Sequence, residues 1–189
     1  LSINTARENE LANGAYLTLG ASYNQEKTHN FKVMEDLLGG DFWVDLDQFA
    51  DRDSNDPNAA QNNLQNTNHV VREGDAFGYD WDMHVRMVNA FGQLEKKWAR
   101  WEGYIGASIS QTSFWRDSRF RKAIFADNSF GESEKHNFVH GGVKAGGVYK
   151  ITGRHFITAN AAFLSRPPAP RYAFLSPNTR HTTIDGLTN

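Results

Sequence analysis

The stretch from Glu134 to Pro170, EKHNFVHGGVKAGGVYKITGRHFITANAAFLSRPPAP, constrains the fold more than any other. Asn137 to Ile151 alternates strictly. One set holds Val139, Gly141, Val143, Ala145, Gly147, Tyr149 and Ile151; the other holds His140, Gly142, Lys144, Gly146, Val148 and Lys150. After a short turn, Thr152-Gly153-Arg154, a second run from His155 to Ser165 sets Ile157, Ala159, Ala161 and Phe163 against Thr158, Asn160 and Ala162. Successive strand residues point to opposite faces, so each run is a β-strand with one small, apolar face and one more polar face. Such a face needs either a second protein layer or lipid. The glycines lie inside a strand and open no helix, so GGVKAGG is not a phosphate loop; they thin the wall or let neighbours pack closely.

The same alternation recurs along the chain. Residues 1–12 are polar and read as the end of a loop. A strand is expected over about 13–26, with Ala15, Leu17, Leu19, Ala21 and Tyr23 on one face. Residues 27–76 form a long loop with a short helix expected near Phe31–Leu38. A second strand, about 77–95, sets Tyr79, Trp81, Met83, Val85 and Met87 against Asp80, Asp82, His84 and Arg86. Val88 to Leu94 fit the opposite register, which predicts a bulge near Met87–Asn89. Further strands are expected over about 101–115, 137–151 and 155–165, with long loops at 116–135 and 166–189. The connections alternate long and short. In an up-and-down meander this puts every long loop on one side and every tight turn on the other, the asymmetry of outer-membrane barrels. Tyr149 would then sit in an aromatic girdle at the tight-turn side, and Trp81 and Tyr79 in one at the long-loop side.

Composition narrows the function. With 189 residues there is chain enough for one domain. Twenty basic and 22 acidic residues give a net charge of −2, which argues against a nucleic-acid binder. The absence of cysteine excludes disulfides, a thiol nucleophile and thiolate metal sites. A mean hydropathy of −0.62 and the lack of an apolar run of about 20 residues exclude a membrane-spanning helix but not a membrane barrel, whose strands alternate. The first residues, LSINTARENE, lack the features of a signal peptide.

The stretches DLLGGDFWVDLDQFADRD, VREGDAFGYDWDMHV, TSFWRD followed by DNSFGESEKHNF, RPPAPRYAFLSPNTR and the closing DGLTN resemble the barrel of TonB-dependent receptors of the Bacteroidetes type. The resemblance runs through nearly the whole chain; in the last loop Asn178 stands where the family pattern has Arg. It implies an all-β, antiparallel up-and-down meander forming about five of a probable 22 strands of a transmembrane β-barrel. It implies a non-enzymatic transporter of the cell outer membrane, importing an unidentified ligand without a cofactor. The implied partners are the remainder of the barrel and its plug, the TonB complex acting through that plug, the lipid bilayer and a surface lipoprotein. Neither plug nor TonB box is recognisable, so the chain is expected to be an interior part of a longer receptor. Physics agrees: five strands cannot close a membrane barrel, and an open edge in lipid leaves backbone groups unpaired. Both edges should therefore pair with further polypeptide.

Candidate site residues follow from side-chain chemistry. Asp80, Asp82, His84 and Arg86 share a strand face and read either as a polar permeation path or as the wet lining of a lumen. Arg166, Arg171 and Arg180, with Tyr172 and Phe174, read either as contacts to an anionic ligand or as anchors of the last loop. The acidic run that includes Asp45, Asp47, Asp51, Asp53, Asn55 and Asp56 offers oxygen ligands for calcium, but lacks the glycine and closing glutamate of an EF-hand. His136 and His140 lie about 13 Å apart along an extended strand and cannot grip one metal. No hydrolase, P-loop or dinucleotide motif is present. Two other classes compete: a soluble carbohydrate-binding β-sandwich, and a glycosidase with paired carboxylates. What covers the Val139/Val143/Ala145 face separates the sandwich from the barrel.

Overall fold

A computed structural model describes residues 1–53, 56 and 58–184. In chain order it contains β1 (Ser2–Glu10), β2 (Ala15–Val33), β3 (Trp43–Val44), α1 (Gln48–Asp53), β4 (Val70–Val71), β5 (Ala76–Lys97), β6 (Trp101–Ser118), β7 (Gly131–Glu132), β8 (His136–Lys150), β9 (Phe156–Leu164) and α2 (Pro170–Ala173). One large antiparallel sheet runs β1-β2-β5-β6-β8-β9, with β7 added at the end of β6; β3 and β4 pair separately. The meander expected from the loop pattern is present. Three tight connections, residues 11–14, 98–100 and 151–155, lie at one end of the sheet, and the longer segments 34–75, 119–135 and 165 onward at the other.

The strands outrun the expected bounds. β2, β5 and β6 have 19, 22 and 18 residues. At about 3.4 Å per residue, β5 extends roughly 70 Å. The loop expected from Lys27 begins only after Val33, and no helix forms over Phe31–Leu38. Residues 1–12, expected as loop, hold a full strand: β1 pairs with β2 from Ser2↔Asn24 to Glu10↔Tyr16. The bulge expected near Met87–Asn89 is absent. β5 keeps one register through Met87, Val88 and Asn89 with both neighbours; the irregularity lies instead between Phe31 and Val33 of β2.

Register assigns every side chain to a face. Rows on the face that carries Val143, the front, are continuous across five strands: Leu17, Leu94, Ile105, Ala145 and Ala161 form one, and Leu19, Gly92, Ala107, Val143 and Phe163 the next. No described segment covers this face. Val143 is 56 % exposed and Phe163 75 %. At the tight-turn end the Trp101 and Tyr149 rings lie 4.6 Å apart. Tyr149 thus lies at the tight-turn end of this face, paired with Trp101. Towards the long loops the front turns polar at the row Gln25, Arg86, Ser113 and Asn137.

The back face has the opposite plan. It is small and polar over most of its length, through Thr18, Ser108, Ser110, His140 and Lys144. At the long-loop end it carries the buried cluster of Trp81, Met83, Phe114 and Phe138, onto which Ala173 and Phe174 fold. Trp81 and Tyr79 therefore belong to this core and not to the expected girdle on the front. Close approaches on the back use glycine: a Cβ at Gly20 would meet the Phe91 ring at 2.5 Å, and one at Gly146 would meet Asn160 Oδ1 at 2.1 Å. No helix among the described residues is long and apolar enough to cross a membrane.

Candidate functional site

Both candidate sites lie at the long-loop end, one on each face. On the front, Asp80, Asp82, His84 and Arg86 alternate along β5 as the sequence requires. They do not share the back face with Lys144 and His140, so they line no common path with them. They continue the row of Val88, Ala90, Gly92 and Leu94 beyond its apolar part. Their face was not legible in the sequence, because one face of β5 changes polarity along its 22 residues.

Around them an ion-pair network closes. Arg119 spans both carboxylates, with Nη1 2.7 Å from Asp80 Oδ1 and Nη2 2.5 Å from Asp82 Oδ2. Lys27 Nζ lies 2.9 Å from the same Asp82 oxygen, and His29 Nε2 2.6 Å from Asp80 Oδ1. Burial opposes the Arg119 charge, but its hydrogen bonds and charge pairing with the two aspartates raise its pKa above the ordinary value. Asp82 is 1 % exposed and its Oδ1 has no hydrogen-bond partner. Asp82, His84 and Asp117 offer ligand atoms within 4.8 Å of one another, so they could hold a divalent cation. The two cations already on Asp82 oppose that use by Coulomb repulsion.

Next to this network, Trp115 is buried under charge. His84 stacks on it at 4.9 Å and 4°, and the Arg86 guanidinium and the Lys135 ammonium each lie 4.8 Å from its ring.

On the back, the 34–75 segment builds a cleft of about 400 Å³ against the start of β5. Trp43, Phe49, Phe77 and Tyr79 give it aromatic walls, and Asp47, Gln48 and Lys32 polar ones. Lys122 and Asp45 tie it together. Asp45 is buried; its carboxylate accepts the Gly78 N–H at 3.0 Å and the Asn62 amide at 2.7 Å. Lys122 Nζ donates to Asn62 Oδ1 and to the Gly78 carbonyl. Burial lowers the Lys122 pKa to about 8, with Asp45 and Asp47 pulling it back up. Asp47 Oδ1 accepts the Phe49 and Ala50 N–H groups, the N-cap of α1. Asp56 Oδ1 accepts the Asn58 N–H. The carboxylates read as calcium ligands are thus capping or bracing backbone where they are described. Asn55 lies outside the described residues, as do the side chains of Asp51 and Asp53.

The arginines of the last segment do not converge. Arg166 and Arg171 are exposed, and Tyr172 is 72 % exposed beside them. Arg180 turns away and sits 4.8 Å from the Phe125 ring. Phe174 is an anchor in the buried cluster, and Asn178 accepts the Trp81 indole N–H at 2.9 Å. His136 is buried against Phe114 and Phe174, whereas His140 bonds Thr112 at 2.9 Å; the two histidines share no site. Lys122, Arg119, Lys27 and Asn62 escaped sequence reasoning because their partners lie 17 or more residues away, beyond any local motif.

Neither a protein-family model nor a curated protein nor a solved structure matches the chain in comparisons with known proteins.

Proposed function

We propose that this chain is part of the wall of an outer-membrane TonB-dependent transporter, with its long-loop end as the ligand-entry surface. The uncovered apolar front face carries the reading. It is bounded by the Trp101–Tyr149 pair at the tight turns and by a charged network at the long loops, while the back face is polar. Alternation of this kind is what a strand needs between lipid and a wet lumen. A sandwich would bury the same face under a second sheet, and no described segment does so. The cleft of Trp43, Phe49, Asp47 and Gln48 then opens towards the outside and is the first contact for a ligand. The plug, the TonB complex, the rest of the barrel, the bilayer and a surface lipoprotein are the partners this role requires. The role is non-catalytic: Asp80 and Asp82 are engaged in ion pairs, and Asp45 and Asp47 brace and cap backbone.

The test compares two neighbours on opposite faces. Val143→Arg puts a charge into lipid and should reduce the folded, membrane-inserted fraction, at a cost of about 2–4 kcal/mol near the midplane. Lys144→Ser faces the lumen and should insert normally. Insertion is read by resistance to protease in isolated outer membranes. Normal insertion of Val143→Arg with failure of Lys144→Ser would reverse the faces and end the proposal.

A further inference from the structure

The front face holds a second surface with a different chemistry, at the boundary where the apolar rows end. Arg86 stands two residues from the exposed Val88 on β5, about 7 Å along the strand. Its guanidinium and the Lys135 ammonium converge on one indole, that of Trp115. Two cations brought to one ring repel each other unless an anion joins them. The nearby acids do not supply it. Asp80 and Asp82 are taken by Arg119, Lys27 and His29, and Asp117, which lies beside Asp82 and His84, forms no ion pair with Arg86 or Lys135. No carboxylate among the described residues pairs with Arg86, and Lys135 reaches only the exposed Glu132, at 3.3 Å. Trp115 itself is 4 % exposed and its Nε1 has no hydrogen-bond partner.

We infer that Arg86 and Lys135, seated on Trp115, bind the phosphate of a lipid headgroup whose acyl chains lie on the apolar rows below. The inference rests on the transmembrane reading of the front face. A lipid is the occupant because cation pair and apolar rows are continuous on one face: Val88, Ile109 and Val139 are all exposed directly beneath. An acidic peptide would use the cations and leave the apolar rows bare. Polybasic surfaces at a bilayer boundary attract anionic headgroups, and arginine adds two-point contact to phosphate oxygens.

The experiment uses the intact receptor that carries these residues, inserted in phosphatidylcholine vesicles and then extracted for native mass spectrometry. Retained bis-phosphorylated lipid A is compared with the same lipid stripped of phosphate. Two cations should give the phosphorylated form at least about a ten-fold advantage. R86Q/K135Q should abolish that advantage, Arg86→Lys should keep part of it, and Lys144→Gln on the back should leave it intact. Equal retention of both lipids, or an unchanged advantage in R86Q/K135Q, would overturn the inference. So would competition by millimolar inorganic phosphate or by an acidic peptide, since either would mark a site for soluble anions. Failure of the unaltered protein to insert into phosphatidylcholine vesicles would instead remove the transmembrane reading, and the headgroup site with it.

Discussion

Gly146 carries more of the back face than its lack of a side chain suggests. It lies directly opposite Tyr104 on one side and Asn160 on the other. The Tyr104 hydroxyl donates to Asn160 Oδ1 at 3.0 Å, and the pair closes over the glycine. A Cβ there would sit 2.6 Å from the Tyr104 ring and 2.1 Å from Asn160 Oδ1. Gly146→Ala should therefore cost about 1–3 kcal/mol, the range for overpacking, and the double variant with Asn160→Ala should recover much of it. Gly153 in the tight turn has nothing within 4 Å, so Gly153→Ala should be neutral. Urea midpoints of the three variants decide; an equal effect of both single variants would refute the close-approach role. The sequence already pointed to glycines that admit close neighbours, because GGVKAGG sits inside an alternating strand. It did not say which glycine or which neighbours, since Tyr104 and Asn160 are 56 residues apart. The opposite failure befell Asp80, Asp82, His84 and Arg86. Their alternation was legible, but their face was not, because one face of β5 changes from apolar to charged without any bulge.

At the scale of elements, the segment after β9 is held by two different means. Phe174 and Ala173 are buried in the cluster beneath β5, β6 and β8, and residues 176–184 are tied by polar contacts. His181 is the pivot of the second. Its Nδ1 lies 3.0 Å from Arg116 Nη1, and its Nε2 lies 3.4 Å from the Phe130 carbonyl. Burial lowers the His181 pKa below 6.5, and the Arg116 charge lowers it further, against weaker upward pulls from Phe130 and Asp117. The sign follows. The unfolded segment takes up a proton as pH falls through 6.5, while folded His181 resists it, so the stability present at neutral pH is lost on acidification. Protease cleavage within residues 166–184 should rise between pH 7 and pH 5. His181→Gln should flatten that rise, and an equal rise in His181→Gln would exclude His181 as the cause. The sequence marked this segment as a proline-rich exit and left its arginines open between ligand and anchor. Phe174, Asn178 and Arg180 turn out to anchor. By contrast β1 was missed altogether, because SINTARENE has no apolar alternation of its own; its pairing with β2 is decided by the partner strand. Its presence still obeys the rule read from the other connections, since the turn at 11–14 falls among the tight ones.

At the scale of the molecule, the sheet has two ends. β1 pairs only with β2 and β9 only with β8 among the described residues. In an antiparallel ladder an edge strand gives alternate amides to its neighbour and turns the others outward. Water can satisfy the outward ones, but lipid cannot. Both edges also flank the uncovered apolar front, with Ile3 on β1 and Phe163 on β9 exposed. An edge of this kind in water invites pairing with another chain. If the front faces lipid, both edges must therefore pair with further strands of the same barrel. Hydrogen exchange of the membrane-inserted receptor should then protect consecutive amides along Ser2–Glu10 and Phe156–Leu164 alike. An isolated or unpaired edge would leave every second amide exchanging within seconds to minutes while its neighbours stay protected. A protected–exchanging alternation along either strand in the inserted protein would mean that edge is free, and a barrel could not close around it. Full protection at both edges would extend the meander in both directions, which neither the loop pattern nor the face chemistry can do alone.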